Sequence, residues 1–151
     1  LLALSYHCKF REILKALTSK VIYNGELRTT ATHLKSGTTI ETDAPLDNQG
    51  KGERFSPSDL VATALASCML TIMGIAARTH GLNIEGTECE VEKIMGTEPR
   101  RIVEVKIKMN LPKDGSYTDK DKKILEHAAL TCPVIESLHP DCKKTLDMIW
   151  P

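Results

Sequence analysis

Apolar residues fill the chain from Leu60 to Ala77 without a charged interruption, whereas the flanking segments mix apolar and polar positions closely. Such a run shows neither strand alternation nor a one-sided helical stripe, and it reads as a helix to be covered on most of its faces. Its ends are legible. Ser56 offers an N-cap hydroxyl, Pro57 fits the first helical position, and Asp59 stands three residues after Ser56 as in a capping box. Arg78 and His80 place donors near the last carbonyls, and Gly81 tolerates the left-handed conformation that closes a helix. The predicted helix runs from Pro57 to His80, about 36 Å long. Thr63, Ser67, Thr71 and Gly74 dilute the run, and Asp59 and Arg78 bracket it tightly, so a core helix is expected rather than a bilayer span. One small domain has difficulty covering so long an apolar rod, which makes a second copy of the chain its natural cover and predicts a homodimer.

Upstream, Lys20 to Leu34 is dominated by β-branched residues and tyrosine, and Lys35-Ser36-Gly37 turns it into Thr38 to Asp43 as a hairpin. Residues 44 to 55 hold Pro45, Gly50 and Gly52 and read as a loop leading into the long helix. Glu88 to Met95 and Ile102 to Met109 carry apolar residues at alternate positions and should pair antiparallel across Gly96-Thr97-Glu98-Pro99. Thr118 is placed to cap a charged helix whose apolar stripe is Ile124, Leu125, Ala128 and Ala129, ending before Cys132-Pro133. A short helix over Pro133 to Leu138, a turn at His139-Pro140-Asp141 and a strand over Thr145 to Trp150 complete the reading. Phe10, Ile13, Leu14 and Leu17 recur at helical spacing, so residues 9 to 17 predict a short amphipathic helix. Residues 1 to 17 are expected to be an N-terminal extension to a single domain of residues 18 to 151.

With 151 residues, 41% of them hydrophobic, the chain can bury a core of its own. Twenty basic residues balance 20 acidic ones, which gives no electrostatic reason to expect nucleic acid or an acidic membrane surface as partner. Five cysteines without a secretory signal pattern do not form a secreted disulfide framework, and a reducing cytoplasm is expected.

The cysteines therefore carry the chemistry. Cys68 lies mid-helix, where the helix dipole lends it nothing, and a buried free cysteine acts by default as a small apolar side chain. Cys132 precedes Pro133 at a helix start, where unpaired N–H groups can hold a thiolate, so local physics ranks it as the better thiolate. Cys89 alternates with the apolar face of its strand. His127, Cys132, His139 and Cys142 do not have the short paired spacings of a structural zinc site. No glycine-rich phosphate loop, dinucleotide fingerprint, H-E-x-x-H or G-x-S-x-G motif occurs.

Ser56-Pro57-Ser58-Asp59-Leu60 through Ala64-Leu65-Ala66-Ser67-Cys68, followed 64 residues after Cys68 by Cys132-Pro133-Val134, resembles the osmotically inducible protein C and organic hydroperoxide resistance family. The resemblance implies an α+β fold: an intertwined dimer with long central helices packed against wrapped antiparallel sheets. It implies thiol-dependent reduction of organic hydroperoxides in oxidative stress defence, with Cys68 attacking the peroxide, Cys132 closing a disulfide and a dithiol reductant reopening it. No metal, haem, flavin or other cofactor is required by that chemistry. The family's peroxidase branch has a glutamate where this chain has Ser58, although Asp59 one residue later matches the carboxylate of another branch. Asp59 lies about 13.5 Å along the helix from Cys68 and on the opposite face, so the capping box is its nearer role. Arg54, in the loop before the helix, and Lys35, in the hairpin turn, are the candidates for a positive group that activates Cys68. Apolar neighbours at Ala64, Leu65, Thr71 and Ile72 favour an organic substrate tail. The alternative is a non-catalytic small-molecule-binding protein that kept the fold and lost the activation.

Overall fold

The computed structural model describes residues 17–151, so Cys8 and nearly all of the amphipathic segment expected over 9 to 17 lie outside the described residues. Two compact units divide the chain, one ending at Pro57 and the other running from Ser58 to Pro151.

In the first unit β1 (Ser19–Gly25), β2 (Arg28–His33) and β3 (Thr39–Asp43) form an antiparallel sheet in that order, followed by a 3₁₀ turn at Leu46–Asn48. The stretch Lys20 to Leu34, expected as one arm of a hairpin, is therefore itself a hairpin. Glu26 and Leu27 make its turn, both in the left-handed region at φ of 51° and 58°. Two-residue hairpin turns of this hand favour Asn-Gly, and Glu-Leu sends no such signal. Neighbours hold the turn instead: the Leu27 carbonyl accepts the Ala44 N–H at 3.0 Å, and Gly25 beside it takes φ of 84°. Register sets Val21 opposite Ala31 and Ala31 opposite Ile40, so these residues and Tyr23 share one face. That face is open, with Val21 60% and Tyr23 64% exposed.

The second unit opens with α1 (Pro57–His80) at the expected bounds, then β4 (Glu88–Thr97), β5 (Arg100–Asn110), α2 (Asp119–Leu130), α3 (Pro133–Ser137) and β6 (Lys143–Ile149). β4 and β5 pair antiparallel, while β6 lies parallel to β5, which requires a crossover; α2 and α3 supply it. The Thr118 hydroxyl accepts the Asp121 N–H and the Asp121 carboxylate accepts the Thr118 N–H, a complete capping box that starts α2. The core gathers Ala62, Leu65, Ala66, Met69, Met73 and Ala77 from α1 against alternate β5 residues Val105, Ile107 and Met109 and against Leu125, Ala128 and Ala129 of α2. On the other face of the sheet Glu92 pairs with Lys106 at 3.2 Å and Glu90 with Lys108 at 3.4 Å, exposed pairs that keep that face solvated.

By length and hydropathy α1 could cross a membrane, yet one side of it forms this core. Within one chain the rod is covered on one side only, in line with the expectation that one small domain has difficulty covering it. Val61, Ala64, Thr71 and Ile75 form an exposed stripe, because a single three-stranded sheet and one short helix cover only one side of a 24-residue rod.

Candidate functional site

Cys68 falls on the edge of that open stripe, half-buried, three residues after core residue Leu65 and next to core residue Met69. Val61, Ala64, Cys68, Thr71, Ile75 and Arg78 follow one another at alternating spacings of three and four, the seam that a second helix packs against. Of the side chains expected around the thiol, Ala64 and Thr71 are exposed and Ile72 is partly buried, whereas Leu65 is fully buried and turns into the core.

Cys132 is held differently. It is the N-cap of α3 in extended conformation, with Pro133 at the first helical position, and its carbonyl accepts the Ile135 N–H at 3.1 Å. Its side chain is completely buried. Cys132 belongs to the core cluster and Cys68 packs against it, so two cysteines from distant parts of the chain meet the same core, near enough for Cys68 to act electrostatically on the Cys132 thiol. Burial, first, pushes the Cys132 thiol up from its ordinary value and Cys68 adds to the effect, while the Ile135 and Val134 N–H groups oppose it. The expectation that the helix start would favour a Cys132 thiolate is not met. A helix of five residues supplies only two opposing N–H groups, and full desolvation of a thiolate outweighs them.

The remaining site residues have other partners. Arg54 donates to Glu41 at 3.0 Å and to the Glu53 carbonyl at 3.1 Å. The Asp59 carboxylate pairs with Lys93 at 2.7 Å, and the same ammonium donates to the Ser58 hydroxyl at 2.8 Å. This ties the start of α1 to β4. Lys35 is exposed in the turn after β2. His139, considered above as a metal ligand, accepts from Arg101 at 2.9 Å. Among the described residues no group of three or more His, Cys, Asp or Glu side chains is gathered to hold a metal ion. Cys89 packs against the core and faces a groove of about 480 Å³ whose walls include Thr63, Ser67, Leu70 and Val91. Burial raises its thiol as well.

Sequence reasoning missed Arg28 and Lys93. Arg28 grips the buried Asp43 through two hydrogen bonds of 2.6 and 2.7 Å and reaches Glu53 at 2.7 Å. Hydrogen bonding to Asp43 and then Glu53 raises the guanidinium, and Arg28 in turn holds the Asp43 carboxyl below the usual carboxylate range. Their partnership follows from the β2–β3 register, which sets Arg28 opposite Asp43. An arginine at the start of a strand carries no such signal when taken alone.

The chain is a mixed α+β protein in which a half-buried helical thiol and a buried thiol at the start of α3 pack on one core. The chain belongs to the OsmC-like protein family, whose model matches residues 50–147. It is 29% identical over 96 residues to an uncharacterized protein of Acinetobacter baylyi, covering 62% of this chain and 66% of that protein's length. Among solved structures, a Psychrobacter arcticus protein named for osmotic stress and detoxification response is 54% identical, with a TM-score of 0.83 over 87% of this chain and 95% of that one. The Legionella pneumophila organic hydroperoxide resistance protein OsmC shares the fold at 15% identity, with a TM-score of 0.70 over 89% of this chain and 98% of that one.

Proposed function

We propose that this protein reduces organic hydroperoxides by a two-cysteine mechanism, as a cytoplasmic homodimer in oxidative stress defence. The observation that carries the reading is the Cys68–Cys132 pair: an accessible thiol beside a buried one, in a family with hydroperoxide resistance proteins among its fold relatives. The Cys68 thiolate attacks a peroxide oxygen; an S–O bond forms, the O–O bond breaks, and the alkoxide takes a proton and leaves as alcohol. Cys132 then attacks the sulfenic sulfur, closing the disulfide and releasing water, and a dithiol reductant returns both thiols by exchange. The apolar stripe beside Cys68 suits an organic tail. A second copy packed along the seam would line that stripe, an apolar surface of the kind that marks interfaces. Arg54 and Asp59, with partners Glu41 and Lys93, enter this reading as groups whose charge an assembled site could draw on.

The test is mass analysis after one equivalent of cumene hydroperoxide. A Cys68–Cys132 disulfide, and loss of dithiol-dependent turnover in Cys68→Ser, support the peroxidase. Intact thiols identify a non-catalytic binding protein of the same fold.

A further inference from the structure

We propose that Asn24-Gly25, at the end of β1, is a site of spontaneous deamidation and that Thr30 restrains it. The inference concerns the first unit and stands apart from the cysteine chemistry.

The chain has four asparagines, and Asn24 alone is followed by glycine; Gln49, Ile84 and Leu111 follow the other three. The order matters because deamidation begins when the backbone nitrogen of the next residue attacks the asparagine side chain. A side chain on that next residue crowds the approach, and glycine has none. The surroundings of Gly25 are open as well, since a methyl group on its Cα would meet no atom within 4 Å.

Regular strand pairing opposes such a ring closure, because the ladder fixes the peptide planes on both sides of a residue. Asn24 escapes the ladder. Tyr23 lies opposite Thr29 and Gly25 opposite Arg28, so β1 has one residue more than β2 at this point, and Asn24 is the extra residue of a bulge. It is exposed. Its amide is tied by one hydrogen bond, from Nδ2 to the Thr30 hydroxyl at 2.6 Å. The reaction expels that same nitrogen, so this bond must break first, and Thr30 slows the loss.

The Gly25 nitrogen bonds to Asn24 Cγ, the Cγ–Nδ2 bond breaks, and ammonia leaves with the Gly25 proton. Water then opens the succinimide ring. Opening at Cγ restores the backbone and leaves aspartate, whereas opening at the main-chain carbonyl leaves isoaspartate, with the backbone running through Cγ and longer by a methylene. Either product carries a carboxylate where the amide stood. Arg28 and Thr30 alternate on β2 and share a face, so the new charge arises on the face where Arg28 binds Asp43 and Glu53.

Peptide mass mapping of the folded protein, sampled during long incubation at mildly alkaline pH, tests this through the gain of about 1 Da that each event brings. The Asn24 peptide should gain it well before those of Asn48, Asn83 and Asn110, and should split into aspartate and isoaspartate forms on chromatography. Asp114-Gly115 can close the same ring without a change of mass, and its peptide is read separately. Thr30→Val removes the acceptor and should speed the Asn24 reaction about fivefold, the worth of one ordinary hydrogen bond. Thr30→Ser keeps the hydroxyl and should keep the parent's rate. An Asn24 that converts no faster than the other three asparagines overturns the proposal. A valine variant at the parent's rate, or a serine variant as fast as the valine one, overturns the part given to Thr30. Circular dichroism establishes that the variants fold; if the valine variant does not, Thr30→Ala takes its place with the same outcomes.

Discussion

Replacing Ile75 by aspartate places a carboxylate in the open seam of α1. The side chain is 57% exposed in one chain. Fully burying an isoleucine contributes about 2–3 kcal/mol, so covering its exposed part in a dimer contributes about 1.5 kcal/mol per copy. A twofold interface counts each residue twice, giving about 3 kcal/mol. Desolvating the unpaired carboxylates costs roughly 2 kcal/mol more. A loss of about 5 kcal/mol weakens dimerisation more than a thousandfold. Because Ile75 belongs to no core cluster of its own chain, the protomer's fold should survive. Sedimentation velocity across micromolar concentrations should find the parent as a dimer and Ile75→Asp as a monomer with unchanged circular dichroism. A parent that sediments as a monomer, or a variant that stays dimeric, refutes the reasoning about what covers α1.

Other consequences follow from the interior. Leu125→Ala empties a fully buried site between α2 and the sheet and should cost about 3 kcal/mol in urea unfolding. Asp43, Glu104 and Asp121 have carboxyls held below their ordinary values, chiefly by hydrogen bonds from Arg28 and Thr145 for the first two and from Thr118 for the third. A depressed carboxyl stabilises the fold above its unfolded pKa, so stability should be full above about pH 4.5 and fall as acid titrates through the depressed values; Asp43→Asn should flatten that fall in a pH series of melting curves. Cys132 runs the other way: with its thiol raised, its contribution is present below the ordinary thiol value and lost as pH rises through the folded one, and Cys132→Ser should remove that alkaline loss. A Cβ at Gly50 would collide with the Ala44 carbonyl, so Gly50→Ala should destabilise the loop of residues 44 to 52 by about 1–3 kcal/mol, seen as faster proteolysis there.

The sequence by itself determined the local elements. Proline and glycine placement, together with charge-free composition, set both ends of α1, and a Thr–Asp spacing set the start of α2, because caps and breakers act within a few residues. Alternation exposed β4 and β5 for the same reason. The Glu26–Leu27 turn escaped because it is held by Ala44, a residue from another strand's end, and not by its own composition. The pairing of β6 with β5 was equally invisible, since a parallel register depends on what the intervening helices cover. The candidate site divides along the same line. Both cysteines and their contexts were legible as motifs. Which of the two is buried was decided by the tertiary structure, because burial is set by everything packed around an atom and not by its neighbours along the chain.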